Sequence, residues 1–404
     1  MSKNRENISF YRVIVAALLA SSMVFHLAIL WESRHQMAAG YGDFIIFYTG
    51  AQIINDGKSK ELFNIETQNA YQAKFDVPQL EWPLPFNHAP YELVLFMPLA
   101  HLPYPVAHAI WSGMNIIFLV IMLRLLLPGV QSQQSFLIGA ALLAWFPTME
   151  TLRLGQDSIM STLLLLAAFV NLKRQRDAWA GFFLALGLYK PQLVLPMVGA
   201  LLVARRWNFL AMFSITGVVL IAVSLAMVGW QGALDLLSIL KSMDSYSFIV
   251  RPAIMPNLRG FIYLLLDGTS LKSLNGGITL VISAGLYLLC LYLWRRKLDV
   301  LDPEFDLKFS LTIVTTILIS FHLYPHDLFP LTVPLILFFR YVSSSGASRR
   351  AAANSFLILL ILLFFPLVPR YLIQAGSFGW GASAVVLLYI VIGVEILKRD
   401  ISTA

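Results

Sequence analysis

Apolar residues in this chain run in long blocks, and the polar residues fall between the blocks rather than alternating with them. The first block, Ile8 to Trp31, is long enough to cross a bilayer as a helix. Further blocks over roughly 106–127, 135–148, 157–172, 207–229, 276–294, 308–323, 328–342, 354–368 and 379–397 repeat the pattern. The pattern predicts an all-α integral membrane protein, a multi-span helical bundle of about twelve spans that forms a single polytopic unit over 1–404.

Two stretches depart from simple spans. Residues 32–105 form a first external loop, inside which Leu93 to Leu102 is fenced by Pro90, Pro98, Pro103 and Pro105. That piece is too short to span and reads as a helix lying along the interface. Residues 178–204 are apolar, bounded by basic residues, and interrupted by Lys190-Pro191. They read as a hairpin of two short helices with Lys190 at the tip, because irregular backbone at membrane depth must be buried in protein or line a hydrated cavity.

Composition agrees with this class. Of 404 residues, 58% are hydrophobic and 13% charged, and the mean hydropathy of +0.73 excludes a soluble domain of this size. The net charge of +7 is scattered and does not point to nucleic acid. The single cysteine, Cys290, lies inside an apolar run, so no disulfide framework, thiolate metal site or redox couple is expected. Lys3, Arg5 and Arg12 ahead of Ala20-Ser21-Ser22 resemble a secretory signal, but the apolar run continues past Met23. It reads as an uncleaved first span with a cytoplasmic N-terminus.

Basic clusters orient the rest. Placing Lys173-Arg174-Gln175-Arg176, Arg205-Arg206, Arg295-Arg296-Lys297, Arg349-Arg350 and Lys398-Arg399 inside puts Asp43, Asn87, His88, Glu92, Arg153, Gln156, Lys190, Gln192, Arg251, Asn257, Arg259, His322, His326 and Asp327 on the outer side. A polar site open to the outside is expected there. Asp43, in Gly40-Tyr41-Gly42-Asp43-Phe44 just past the first span, is placed to abstract a proton from a substrate.

Each candidate has a plainer role beside the functional one. Asp43 can cap the following helix, Lys190 can snorkel to the headgroups, Arg251 and Arg259 can be loop charges, and Asn257 can be a helix cap. His88 and His101 sit among aromatics and prolines, where a structural role is common. Arg153 to Gln156 can be a helix-linking turn or a sugar contact. His322, His326 and Asp327 have spacing that suits a metal, but Pro325 interrupts it. No metal is expected, and a hydrogen-bonding role is favoured, with Asp327 as a helix cap in the plainer reading.

Several motifs together resemble glycosyltransferase family 87. They are Asp43 to Tyr48, Gly57 to Phe63, Pro85-Phe86-Asn87-His88-Ala89-Pro90-Tyr91, Phe96 to Ala100, Leu102-Pro103-Tyr104, Leu154-Gly155-Gln156, Ala180-Gly181 through Tyr189-Lys190-Pro191, Asn257 to Gly260, and His322 to Leu328. The resemblance extends over residues 40–335, and the shared order carries it. Asn87-His88-Ala89-Pro90 stands where a Tyr-Pro-Pro-like run is common in the family.

The resemblance implies a GT-C-type fold and a transferase, best known in the family as a mannosyltransferase, that takes a hexose from a polyprenyl-phosphate donor to a glycolipid or glycan acceptor. It also implies a bacterial inner membrane, with the active site on the extracytoplasmic face and no cofactor. In an inverting displacement Asp43 would be the general base. Lys190, Arg251 and Arg259 would hold the donor phosphate, and His88, Arg153, Gln156, Gln192, Asn257, His322, His326 and Asp327 would contact substrate. The rival classes are a secondary transporter and a non-catalytic polysaccharide-assembly protein. Only one broken hairpin and no internal repeat are visible, which disfavours transport.

Overall fold

A computed structural model describes residues 2–75, 84–128, 132–242, 250–296, 299–343 and 367–402. They are helical throughout, with no strand among the described residues. The first apolar block becomes α1 (Ser2–Ala38), longer than the run that predicts it. The loop that follows is structured. It holds α2 (Phe44–Asn55) and α3 (Ile65–Gln72), then the 3-10 segments Pro90–Leu95 and Leu99–His101. The interfacial helix expected over 93–102 is thus two 3-10 turns, because its prolines cannot donate into an α-helical ladder. α2 buries most of its residues against this loop, with Phe47 stacked on Phe96 at 4.8 Å between ring centroids.

The remaining helices are α4 (Tyr104–Leu126), α5 (Ser132–Leu143), α6 (Phe146–Leu154), α7 (Ser158–Lys173), α8 (Asp177–Leu186), α9 (Pro191–Val203), α10 (Trp207–Ser242), α11 (Leu258–Leu266), α12 (Asn275–Trp294), α13 (Pro303–Ile319), α14 (Thr332–Ser343), α15 (Leu367–Gln374) and α16 (Ala382–Ser402). The centre is α13, which is buried along almost its whole length and packs against α9, α12, α14 and α16. It carries the pair Lys308–Glu304 at 2.8 Å, as burial of charge requires, and its Thr312 accepts Trp294 Nε1–H of α12 at 2.8 Å.

Four stretches, Tyr104–Leu126, Trp207–Ser242, Lys272–Trp294 and Phe378–Arg399, are long and apolar enough to cross a membrane singly, and a fifth if a bent pair counts as one. This is a membrane-type helical bundle, but fewer full-length spans are found among the described residues than the twelve the sequence predicts. The expected span over 135–148 breaks before Phe146-Pro147 and bends by 59° into α6, since proline at the start of a helix ends the preceding one. The span expected over 308–323 stops at Ile319. The one expected over 328–342 begins as the 3-10 segment Pro325–Leu331, whose two prolines withhold backbone donors. Residues 354–366 of the expected 354–368 span lie outside the described residues. The predicted limit at 229 coincides with a break in α10, where Gly229 leaves helical geometry at φ 73°.

The bundle has two chemically different ends. α7 and α8 pack on each other while α9 packs on α12 and α13, and the three run between these ends, with the Asp157 and Lys190 region at one end and the 175–176 and 205–206 turns at the other. That second end gathers the pairs Lys173–Asp306 (2.6 Å), Arg206–Asp177 (3.7 Å) and Arg399–Asp302 (3.1 Å). Arg349-Arg350 lies outside the described residues.

Candidate active site

Asp43 begins α2, and its position depends on two glycines. Gly42 has φ 116°, and a Cβ there would stand 3.0–3.1 Å from the Leu154 backbone. Gly155 ends α6 in the left-handed conformation at φ 68°, where a Cβ would stand 2.5 Å from Phe44 Cβ. The Gly155 carbonyl accepts Trp111 Nε1–H at 2.9 Å. With both backbones free of side chains, the Leu154-Gly155-Gln156 turn seats directly on the start of α2. Gln156 Nε2–H then donates to Asp43 Oδ2 at 2.6 Å across 113 residues of chain.

Next to this contact lies a continuous network of buried charge. Lys190 Nζ, in the turn between α8 and α9, stands 2.5 Å from Asp157 Oδ1 and 2.9 Å from Asp327 Oδ1. Ser158 Oγ also donates to Asp327 Oδ1 at 3.4 Å. Asp327 Oδ2 faces His326 Nε2 at 3.2 Å and accepts the Tyr324 backbone N–H at 3.1 Å. On the other flank His88 Nδ1 meets Glu92 Oε2 at 2.7 Å, and Glu92 reaches toward the Asp157 carboxylate. The charge of Asp43 acts on both His326 and Tyr324.

His88 is held in place by amide chemistry in the first loop. Gln68 donates to the Leu62 carbonyl (2.7 Å) and accepts the Phe86 N–H (2.7 Å), while Gln72 brackets Leu84 from both sides. Tyr91 O–H donates to the Leu186 carbonyl at 3.1 Å, tying the segment to α8. Burial pushes the Glu92 carboxyl up to about 7, with His88 drawing it back and Asp157 driving it further. Burial opposes the charged form of His88, but the Glu92 carboxylate outweighs it and raises the imidazole above its ordinary value.

The other predicted residues have varied placements. Arg251 is exposed, and its backbone N–H donates to Tyr324 Oη at 3.4 Å. Arg259 donates to the Phe321 carbonyl at 3.2 Å and lies over the Phe321 ring at 3.9 Å. Arg251 thus meets Tyr324 through its backbone, and the charge of Arg259 acts on the same tyrosine. His322 is half-buried against Phe321. Asn257 is fully buried and occupied twice, capping α11 through the Gly260 N–H (3.0 Å) and donating to the Ser320 carbonyl (2.6 Å). This is the helix-cap role. Arg153 is forked onto Glu150 at 2.6 and 3.2 Å, and Gln192 is exposed at the start of α9. Lys190 is clasped by two carboxylates, which leaves its charge answered within the protein.

The sequence reading missed Asp157 and the part Glu92 plays. Asp157 precedes Ser158 at the start of α7, a pattern that signals a helix cap, yet its side chain makes no cap bond and turns to Lys190 instead. Among the described residues, the set able to hold a cation is His88, Glu92 and Asp157, whose ligand atoms lie within 4.8 Å of one another, rather than His322, His326 and Asp327. The Lys190 ammonium already stands against that set at Asp157.

A family model described as glycosyltransferase family 87 matches residues 86–320, more than half of the chain. No curated protein and no solved structure matches. The matched range contains His88, Glu92, Asp157 and Lys190, and it includes Gln156 but not its partner Asp43.

Proposed function

The chain belongs to glycosyltransferase family 87, and from that premise we propose that it moves a hexose, mannose in the first instance, from a polyprenyl-phosphate donor to a glycolipid or glycan acceptor with inversion at the anomeric carbon. A transferase on a sugar donor and acceptor sets aside the transporter and the non-catalytic alternative. The membrane-type bundle supports a lipid-linked donor, since a polyprenyl tail needs a bilayer beside the site and a phosphate needs cations at headgroup level.

The observation that carries the reading is the 2.6 Å contact between Gln156 and Asp43. It joins a residue within the family-matched range to the carboxylate proposed as base, and it holds that carboxylate by one oxygen only. The other oxygen accepts the proton of the acceptor hydroxyl as that hydroxyl attacks the anomeric carbon. The glycosidic bond forms on one face while the bond to the phosphate oxygen breaks on the other. Arg251 and Arg259, flanking Tyr324, neutralise the polyprenyl phosphate as it departs. Lys190 acts through Asp327 and Asp157 by fixing the turn that carries Tyr324 and His326. The proposed setting is a bacterial inner membrane with the Asp43 end facing away from the cytoplasm, which agrees with the basic character of the opposite end.

The test is transfer from radiolabelled polyprenyl-phosphate sugars to extracted lipids by purified Asp43→Asn. A loss of about 10²–10⁴ in rate is expected, with the variant still inserted and folded. Transfer at the wild-type rate would remove Asp43 from the base role.

A further inference from the structure

A cavity lies at the end of the bundle away from Asp43. It has a volume of about 830 Å³, and four arginines, Arg176, Arg205, Arg206 and Arg296, line it with two aspartates, Asp177 and Asp299. Four positive charges against two negative leave the lining net positive by two. The arginines come from three connections, those between α7 and α8, α9 and α10, and α12 and α13, so the charge is assembled in space rather than along one segment.

A second observation falls in the same place. Among the described residues, only Gln175 (φ 57°) and Arg205 (φ 56°) hold the left-handed backbone conformation without being glycine. Both line this cavity. A left-handed residue with a side chain costs energy that glycine avoids, and such outliers gather where function fixes them. At position 205 a guanidinium stands where the turn alone would favour glycine.

The surroundings point to the ligand. Trp179 lines the cavity, and Trp207 follows directly after Arg206; both are more than half exposed, as is usual for aromatics at the level of lipid headgroups. Leu202 on the last turn of α9 presents an exposed apolar side chain beside them. We propose that this cavity is a binding site for the phosphodiester headgroup of an anionic phospholipid, held by the arginines with its acyl chains along α9 and α10. Guanidinium groups suit phosphate through paired charge-assisted hydrogen bonds, and basic pockets between membrane helices take anionic headgroups. The site would anchor the end of the bundle opposite the chemistry.

Native mass spectrometry of the purified full-length protein titrated with phosphatidylglycerol or phosphatidylcholine tests this, with glycerol phosphate as the free phosphate source. The expected result is that phosphatidylglycerol is retained about tenfold more tightly than phosphatidylcholine and that glycerol phosphate does not displace it. Arg205→Gly should weaken phosphatidylglycerol retention about tenfold while leaving the unfolding midpoint unchanged or raised, because the backbone at 205 is relieved. Arg124→Gln, which removes an exposed arginine from the last turn of α4 outside the cavity, should retain the lipid as wild type does. Equal retention of the two lipids, or full retention by Arg205→Gly, would overturn the proposal. Displacement by glycerol phosphate would overturn the lipid assignment in favour of a soluble phosphate ligand.

Discussion

Lys190 and Asp157 meet at 2.5 Å with almost no access to solvent, and Asp327 closes on the same ammonium from another element. Removing one member of a buried ion group leaves the others uncompensated, which costs about 3–5 kcal/mol. Lys190→Met should therefore lower the thermal midpoint sharply and reduce the amount of folded protein in detergent. Adding Asp157→Asn should recover part of the loss, since one stranded carboxylate is then neutral. A single Lys190→Met variant as stable as wild type would show that the network does not hold this turn.

Gln156→Ala separates orientation from folding. It removes one hydrogen bond, that to Asp43, so the lost bond should change stability by about 1 kcal/mol. On the proposed role of Asp43 as base, the rate constant kcat should fall about tenfold or more while KM moves little, because the loss falls on its positioning. Steady-state kinetics with a saturating donor would check the split. A change confined to KM would assign Gln156 to substrate binding alone.

Gly155→Ala should be far worse than a usual glycine replacement. The new Cβ would stand 2.5 Å from Phe44 Cβ, and the backbone is at φ 68°. Overpacking of this kind costs about 1–3 kcal/mol, in addition to the left-handed penalty. Transfer activity should fall with stability, since Phe44 adjoins Asp43. Chemical denaturation alongside an activity assay would test the joint loss.

Stability should depend on pH through Glu92 and His88. Glu92 is raised to about 7 and His88 above its ordinary value, so the folded protein binds protons more readily than the unfolded chain at both groups. The contribution is fully present below about 4.5, the ordinary value for Glu92, and is lost as pH rises through about 7. Lys190 and Asp157 face the same pair. Relative to Glu92→Gln, the wild type should lose on the order of 2 kcal/mol over that window. Parallel pH profiles for the two proteins would remove Glu92 as the cause.

Chelators should leave transfer unchanged. The cluster best suited to a cation, His88, Glu92 and Asp157, already has the Lys190 ammonium against Asp157. Activity assayed after exhaustive treatment with EDTA, with and without added magnesium or manganese, provides the check. A loss restored by one ion would place a metal in this cluster.

The family and the helical membrane class are legible in the sequence because they rest on long apolar blocks and on motifs kept in order. The break at Gly229 is legible for the same reason, as the apolar run thins there. The bend at Phe146-Pro147 and the early end of α13 are not, because hydropathy does not distinguish a helix buried in protein from one facing lipid. α13 carries Glu304, Asp306 and Lys308 in its first turns and still lies at the core. Asp157 escaped for a local reason, since its place ahead of α7 has the form of a cap and only the packing of α8 and α9 turns it toward Lys190. The pairing of Asp43 with Gln156 depends on two backbones touching at Gly42 and Gly155, and a linear reading holds no distance between them.

The length of α1 has a mechanical consequence. At 37 residues it measures about 55 Å, so if it crosses a hydrocarbon layer of about 30 Å as the sequence predicts, the rod leans or extends beyond the lipid. It ends at Ala38, five residues before Asp43. On the proposed role of Asp43, this mast would then help set how high the carboxylate rides above the oil, and clipping one turn from it would shift that height.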